Sequence, residues 1–212
     1  MKIVIFGASG KTGTLLLKEA LIKGHQVTAY VRRAESIVQQ HPNLKVVIGN
    51  LSDTVSLKEA LTGADACIST LGGGSLTRHA TEIREGIDCI VRLMELEGIK
   101  RLLYLSSIGA GESRYFMRPI FRFLLADILL RVPLADHTLN EKRLLNSKLL
   151  WTVVRPGGLT DGPKTGDNCY GCKKMILKGN LQISRINVAS FLLEQLSDIT
   201  YINKCVWLYE KH

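Results

Sequence analysis

The residues best suited to chemistry lie near the start of the chain. A short apolar stretch, Lys2 to Phe6, is followed by Gly-Ala-Ser-Gly-Lys-Thr-Gly over residues 7–13. We expect Gly7 to let the backbone turn sharply out of a strand, and Gly10 to let the main chain approach a phosphate with no Cβ in the way. Gly13 lets the next helix pack closely on the sheet, and the free N–H groups of that helix attract an anion. The spacing is G-x-x-G-x-x-G instead of G-x-G-x-x-G, but between a strand and a helix it predicts a dinucleotide-binding turn.

Two arginines indicate which dinucleotide binds. Gln26 to Val31 is predicted to form the second strand, and Arg32 and Arg33 follow at its C-terminal end. NAD-preferring sites usually hold an acidic residue there, which accepts hydrogen bonds from the ribose 2′-OH. Guanidinium groups suit a 2′-phosphate instead, so we predict NADP(H) in preference to NAD(H). The alternative is that both arginines belong to a solvated face.

The elements that must position these residues alternate between strand and helix, which predicts an α/β fold with a doubly wound parallel sheet. Further strands are predicted at residues 45–48, 66–70, 101–105, 151–155, 182–184 and 205–209, and helices at 56–61, 83–94, 115–131 (interrupted by Pro119), 135–147 and 187–196. We expect one domain over residues 1–212 with a small C-terminal elaboration, and two substrate-side segments at 112–133 and 157–181. Ligands of such sheets bind at the C-terminal strand ends, where most of the unusual residues fall.

The formal net charge of +9 restricts the classes of partner. An electropositive site mouth steers a phosphate-rich cofactor, whereas a nucleic-acid binder is the competing explanation. The basic residues are dispersed and form no recognised nucleic-acid motif, so we predict a small-molecule acceptor and no nucleic-acid partner.

Five cysteines, an odd number, argue against a disulfide framework. Cys169 and Cys172 form a lone C-x-x-C, with no second pair or nearby His to complete a metal site, so we predict no metal. No apolar run is long enough to span a membrane, and Met1 leads directly into a strand. We therefore expect a cytoplasmic protein with no membrane partner.

At this point the chain resembles the atypical short-chain dehydrogenase/reductases. Four stretches carry most of the resemblance: Ile-Phe-Gly-Ala-Ser-Gly-Lys-Thr-Gly at 5–13, Tyr-Val-Arg-Arg at 30–33, Tyr-Leu-Ser-Ser at 104–107, and Val-Arg-Pro-Gly-Gly-Leu-Thr-Asp at 154–161. Ile-Ser-Arg-Ile-Asn-Val-Ala at 183–189 also fits. The most similar branch is the NAD(P)H-binding group with NmrA-like proteins and the biliverdin reductase B/flavin reductase type. The resemblance covers nearly the whole chain, and Glu112 to Pro133 match least.

The resemblance implies a Rossmann fold and a set of cofactor-binding residues. Those around the pyrophosphate are Gly7, Ser9, Gly10, Lys11 and Thr12, with Gly13 at the start of the helix. Those along the rest of the cofactor are Arg32 and Arg33 at the 2′-phosphate, Asn50 and Leu51 beside the adenine, Leu71, Gly72 and Ser106 along its length, and Pro156 and Gly157 near the nicotinamide. Ser107 matches the serine that faces the reacting group in many relatives.

The chain departs from the general family pattern at one important position. That pattern has Tyr-x-x-x-Lys on the helix after the fifth strand, where the Lys-assisted Tyr acts as the acid. If Lys142 is the Lys, the Tyr position holds Thr138, which has no phenolic proton. His137 is adjacent and is the candidate proton donor, although a lone His on a helix is more often structural. Planar acceptors such as flavins or quinones, which need mainly stacking and a nearby hydride, therefore fit better than ketones.

Three functions follow from these observations. The first is an NADPH-dependent reductase of a planar acceptor, with Ser107, His137 and Lys142 as candidate catalytic residues. The second is a cofactor sensor of the NmrA-like type, and the third is an isomerase or epimerase, which the missing Tyr disfavours. The apolar residues Phe116, Ile120, Phe121 and Phe123 form a lid, a dimer or partner surface, or a plain core helix. Monomer and homodimer both stay open.

Overall fold

Ten strands and six α-helices form in the computed structural model, which describes residues 1–72, 75–166, 168–173, 176 and 181–211, without the side chain of Phe121. The strands are β1 (Lys2–Phe6), β2 (Gln26–Val31), β3 (Leu44–Ile48), β4 (Ala66–Ser69), β5 (Arg101–Leu105), β6 (Leu150–Pro156), β7 (Gly158–Thr160), β8 (Asn168–Gly171), β9 (Gln182–Ser184) and β10 (Lys204–Glu210). The helices are α1 (Lys11–Ile22), α2 (Thr54–Leu61), α3 (Thr81–Leu96), α4 (Pro119–Phe121), α5 (Arg131–Leu145) and α6 (Arg185–Glu194).

Eight of these strands form one sheet in the order β3-β2-β1-β4-β5-β6-β10-β8, while β7 and β9 form a separate parallel pair. All neighbours in the large sheet are parallel except β10 and β8. The strand order reverses between β1 and β4, which opens a crevice at the C-terminal strand ends. The predicted doubly wound α/β fold is confirmed. One edge of the sheet is antiparallel: β8, for which no strand was predicted, runs back along β10.

The sheet is covered on both faces because successive strand residues point to opposite sides. Ile5 of β1 packs on the face of α1 and α6, with Leu16 and Phe191. Its neighbour Phe6 packs on the face of α2 and α3, with Ile90. This double burial explains why the central strands are mostly apolar, and it leaves the polar loops at the strand ends to form the site.

The segment between β5 and α5 differs most from its predicted single helix. A 3-10 helix covers Gly111–Phe116, α4 begins at Pro119, and a π-helical stretch covers Arg122–Leu129. The predicted interruption at Pro119 is confirmed, because proline fits the first helical position, where no N–H partner is needed. For the same reason Pro133 is accommodated in the first turn of α5, which begins four residues earlier than predicted.

The apolar side chains of this segment have different environments. Phe116 is buried with Ile108, Leu134 and Trp207, whereas Ile120 and Phe123 are 66% and 58% exposed. A plain core helix was therefore wrong for Ile120 and Phe123. The side chain of Phe121 lies outside the described residues, as do residues 167, 174, 175 and 177–180 of the predicted substrate-side segment 157–181.

Candidate active site

The glycine turn after β1 has the geometry expected for a phosphate-binding site. Gly7 adopts φ +81°, and a Cβ there would lie 2.8 Å from Thr70 Oγ1. A Cβ on Gly13 would lie 2.0 Å from the Gly7 carbonyl oxygen, so the helix and turn touch directly. A Cβ on Gly10 would meet only that carbonyl oxygen, at 3.3 Å, among the described atoms within 4 Å. Gly7 and Gly13 thus serve the turn itself, while Gly10 leaves space in front of it.

The N-terminus of α1 is open to an anion. Gly10 is its N-cap, no side chain caps the helix, and the first turn holds no acidic residue. Ser9 and Lys11 are exposed, whereas Thr12 is buried. An uncapped N-terminus presents free N–H groups and a partial positive charge. Together with the clearance at Gly10, this arrangement fits a pyrophosphate.

The two arginines lie at the next strand end. Arg32 and Arg33 directly follow β2, which pairs with β1, and both are exposed. Arg33 Nε is 3.6 Å from a Glu35 carboxylate oxygen, in a solvent-exposed pair that costs little to break. Both guanidinium groups are therefore available at the edge of the crevice.

The predicted adenine side is held by contacts that the sequence did not suggest. The Tyr30 hydroxyl donates to the Asn50 carbonyl oxygen at 2.8 Å. Leu51 lies over Gly86 of α3, where a Cβ would be 2.5 Å from the Leu51 Cβ. Gly86 was missed, although a glycine inside a helical pattern is a known signal for such close packing. Asn50 is exposed and Leu51 half-buried beside the crevice.

The loop after β4 joins the turn to α5. The Thr70 hydroxyl contacts the carbonyl oxygens of Phe6 and Gly7 at 3.2 and 3.1 Å. Leu71 is half-buried against the core, and Gly72 is exposed. A Cβ on Gly72 would lie 3.7 Å from both Cε1 and Nε2 of His137. The structure therefore brings His137 to the predicted cofactor-lining residues.

His137 belongs to a hydrogen-bonded group that sequence reasoning missed. Its Nδ1 is 2.9 Å from the hydroxyl of Tyr104 on β5, and that hydroxyl also accepts from Asn140 Nδ2 at 2.9 Å. Burial lowers the pKa of His137 and raises the pKa of Tyr104. Both groups are therefore neutral near pH 7. The helical spacing of His137 and Asn140 was the available signal, because residues three apart share a face.

The other candidate catalytic residues lie in different surroundings. Ser107 is half-buried at the end of β5, and its hydroxyl donates to the Ile108 carbonyl oxygen at 3.1 Å. Lys142 is exposed on α5. The Thr138 hydroxyl accepts from the Gly111 N–H at 2.9 Å and donates to the Leu134 carbonyl oxygen at 2.7 Å. Thr138 thus links the backbone at Gly111 to α5 by hydrogen bonds.

Ser106 belongs to a buried ionic network beside the site. Its hydroxyl donates to Glu141 at 2.6 Å, and Arg155 donates to both carboxylate oxygens of Glu141 at 2.9 and 2.8 Å. Arg155 also donates to both oxygens of Glu112 at 2.9 and 3.0 Å. Although burial lowers the pKa of Arg155, the hydrogen bonds to Glu141 and Glu112 raise it further, so the guanidinium stays charged.

Pro156 and Gly157 are held in the sheet by main-chain contacts. The Pro156 carbonyl oxygen accepts from the Ile108 N–H at 2.9 Å, and the Gly157 N–H donates to Leu208 at 2.9 Å. A Cβ on Gly157 would lie 2.2 Å from the Leu181 carbonyl oxygen. These contacts place the two residues at the C-terminal end of β6, at the same edge of the sheet as Ser107.

The described residues contain neither a metal-binding cluster nor a membrane-spanning helix. No three His, Cys, Asp or Glu side chains in this part of the chain come together in a way that could hold a metal ion. In the same residues, every helix is too short or too polar to cross a bilayer.

Comparison with known proteins gives a consistent family. Residues 7–199 match the family described as NAD(P)H-binding. The UPF0659 protein YMR090W of Saccharomyces cerevisiae is 30% identical over 206 residues, which cover 92% of this chain and 87% of that protein. The uncharacterized sugar epimerase YhfK of Bacillus subtilis is 27% identical over 218 residues, covering 99% and 94%. Among solved structures, ChuY, an anaerobillin reductase from Escherichia coli O157:H7, is 26% identical with a TM-score of 0.84, covering 99% and 97%.

The family match extends over most of the chain and includes the glycine turn, the arginines and α5. It agrees with the geometry, in which an uncapped helix N-terminus and the clearance at Gly10 suit a pyrophosphate. The chain therefore has the oxidoreductase-type fold of proteins that bind a nicotinamide nucleotide, and it belongs to the NAD(P)H-binding family.

Proposed function

We propose that the protein is an NADPH-dependent reductase of a planar acceptor of the flavin or quinone type. The proposal depends mainly on which side chains of α5 lie at the site. Thr138, at the position of the usual acid, is engaged by Gly111 and Leu134, and the titratable neighbour that faces the loop after β4 is His137. The lack of a phenolic acid at this position of α5 suits an acceptor that takes its proton from water after hydride transfer.

The preference for NADPH rests on Arg32 and Arg33. Both are exposed at the C-terminal end of β2, and no acidic residue takes their place at that strand end. Planar guanidinium groups bind a 2′-phosphate through paired hydrogen bonds, whereas a ribose 2′-OH gains little from them. The anaerobillin reductase ChuY, 26% identical to this chain, supports a reductase as the reaction class.

The roles of the residues follow from their positions. The glycine turn and the N-terminus of α1 hold the pyrophosphate, and Leu51 flanks the adenine. NADPH supplies the hydride when bound. Ser107, on the exit from β5, orients the acceptor or the nicotinamide by a hydrogen bond. The small-molecule acceptor enters from the side of segment 112–133, and the reaction takes place in the cytoplasm.

A cofactor sensor is the second candidate, and the exposed apolar residues of segment 112–133 favour it. Ile120, Phe123, Leu124 and Ile128 are each more than half exposed, which is unusual for large apolar side chains so close in sequence. A surface of this kind suits a partner protein or a second copy of the chain. In a sensor, bound cofactor alters this surface and no acceptor is reduced.

One experiment separates the two candidates. Purified protein is incubated with NADPH and a panel of flavins, quinones and dicarbonyls, and the absorbance of the reduced nicotinamide is followed while cofactor affinity is measured in parallel. We expect turnover with at least one flavin or quinone, and none with the Gly10→Val variant. Tight NADPH binding without turnover across the panel would contradict the reductase and support the sensor.

A further inference from the structure

We propose that Tyr104 holds His137 as the neutral tautomer with its proton on Nε2, so that His137 acts as a fixed hydrogen-bond donor to an oxygen atom of the acceptor and not as its acid. The proposal rests on the reductase function above and specifies the substrate class, an acceptor whose carbonyl oxygen gains negative charge. The proposal depends on the direction of the hydrogen bond between the Tyr104 hydroxyl and His137 Nδ1.

That direction follows from the hydroxyl of Tyr104. The side chain is completely buried, and its oxygen accepts a hydrogen bond from Asn140 Nδ2 at 2.9 Å. The hydroxyl has one proton to donate, and the acceptor within reach among the described residues is His137 Nδ1, at 2.9 Å. If Nδ1 carried a proton instead, the buried tyrosine proton would have no acceptor, which folded proteins avoid. Nδ1 is therefore the accepting nitrogen, and the imidazole proton lies on Nε2.

The Nε2 edge of the ring points toward the cofactor-lining loop. A Cβ on Gly72 would lie 3.7 Å from Nε2 and Cε1, which is ordinary contact distance. Residue 72 is an exposed glycine, so it places no side chain in front of Nε2. This loop follows β4, beside the reversal of strand order where ligands of such sheets bind.

The charges around His137 are engaged elsewhere. On α5, Asp136 contacts His79 Nδ1 at 2.8 Å and the Ala80 N–H at 2.7 Å, and Arg84 of α3 lies 3.7 Å from it. Glu141 is paired with Arg155 of β6. From β5 the ring meets the neutral Tyr104. Burial lowers the pKa of His137 more than Asp136 and Glu141 raise it, so the ring carries no charge at pH 7.

The chemistry that follows is electrostatic. The acceptor would receive a hydride supplied by bound NADPH, which would be oxidised to NADP⁺, and the electron pair of the acceptor carbonyl would move onto its oxygen. An N–H directed at that oxygen stabilises the developing charge, and water then supplies the proton. A neutral imidazole is a weak acid but an adequate hydrogen-bond donor, as required for this role.

The first test needs no activity. In protein labelled with nitrogen-15, two-dimensional NMR of the histidine rings distinguishes a protonated Nε2 from a protonated Nδ1, and His137→Gln assigns the signals. We expect the Nε2–H form at pH 7 and its partial loss in Tyr104→Phe. An Nδ1–H or doubly protonated His137 in the unmodified protein overturns the proposal. Because this measurement does not depend on turnover, it can fail while the reductase function stands.

The second test uses kinetics. His137→Gln keeps an N–H at the end of the side chain, so we expect its kcat within about threefold of the unmodified protein, whereas His137→Leu loses about tenfold, the loss expected for one hydrogen bond. NADPH affinity is unchanged in both variants. Leu139→Ala, at an exposed position of the same helix, is the control. Equal loss in the Gln and Leu variants, together with a rate that falls as His137 loses a proton, would show that His137 is the acid.

Discussion

Arg155 donates hydrogen bonds from two of its nitrogens to the two carboxylate oxygens of Glu141, and both side chains are 3% exposed. This pair joins β6 to α5, and through Ser106 and Glu112 it reaches the end of β5 and the 3-10 helix before α4. A buried pair adds little net stability, but removing one partner strands the other charge. The pair therefore links α5, which carries His137, to β6 of the sheet.

Glu141→Gln is expected to lower the free energy of unfolding by about 3 kcal/mol, because the anionic partner that Arg155 then keeps among the described residues is the half-exposed Glu112. Urea denaturation measures this change. The matched control is Glu59→Gln, which removes an exposed pair with Lys45 and should cost less than about 1 kcal/mol. Similar losses in the two variants would show that the buried network has no special role.

Gly10→Val is expected to abolish NADPH binding while the protein stays folded, because the side chain would enter the space in front of the turn. Gly13→Ala is the contrasting variant, since its Cβ would lie 2.0 Å from the Gly7 carbonyl oxygen. It should destabilise the fold by about 1–3 kcal/mol or more. Calorimetric titration and thermal unfolding measure the two effects. NADPH binding retained by a folded Gly10→Val protein would refute the role of this glycine.

NADPH is expected to bind at least about tenfold more tightly than NADH, a difference of about 1.4 kcal/mol. Replacing Arg32 and Arg33 by Ala should weaken NADPH and leave NADH nearly unchanged, as measured by titration with both cofactors. Arg92→Ala with Lys100→Ala removes the same charge at exposed positions elsewhere and controls for the net charge. Equal affinities for the two cofactors in the unmodified protein would be incompatible with the proposed 2′-phosphate site.

Stability should fall as the pH decreases from about 6.5 toward 5. Burial lowers the pKa of His137 and His25 in the folded protein, whereas both sit near 6.5 in the unfolded chain. Below pH 6.5 the unfolded chain thus binds protons that the folded protein does not, so the free energy of unfolding decreases, by at most about 1.4 kcal/mol per pH unit for each group. Urea denaturation at several pH values gives the free energy of unfolding as a function of pH. This free energy should change less steeply with pH in His137→Gln than in His41→Gln, a control at an exposed position. Identical slopes would contradict a buried, neutral His137.

Ser107→Ala is expected to lower turnover about tenfold to a hundredfold and to spare NADPH binding, since one orienting hydrogen bond is worth about 1–3 kcal/mol. Steady-state kinetics with the best acceptor of the panel measures kcat, and titration measures cofactor affinity. Ser147→Ala is the control, because Ser147 follows α5 and precedes the N-terminal end of β6, at the opposite edge of the sheet from Ser107. Unchanged turnover in Ser107→Ala would show that Ser107 does not orient the acceptor or the nicotinamide.

The local parts of the site were predictable from the sequence. Gly7, Gly10 and Gly13 have roles that depend on backbone conformation within a few residues, so their spacing alone indicates the turn. The bounds of β1, β2 and β5 follow from short apolar runs that end in polar or glycine residues. The family and the nicotinamide nucleotide follow from these motifs as well. Which face Arg32 and Arg33 present to a ligand stays a prediction.

Tertiary structure alone decided the rest. Tyr104 and His137 are 33 residues apart in the sequence. They meet because β5 pairs with β6 and α5, in the connection between these two strands, packs on the sheet. The edge strand β8 exists because β10 offers it main-chain partners, and Leu51 reaches α3 only because Gly86 has no side chain. In each case the contact depends on strand order and helix placement, which arise from burial summed over the whole chain. A local sequence pattern does not indicate the total burial of the chain. The glycine turn was therefore predictable, whereas the surroundings of His137 were not.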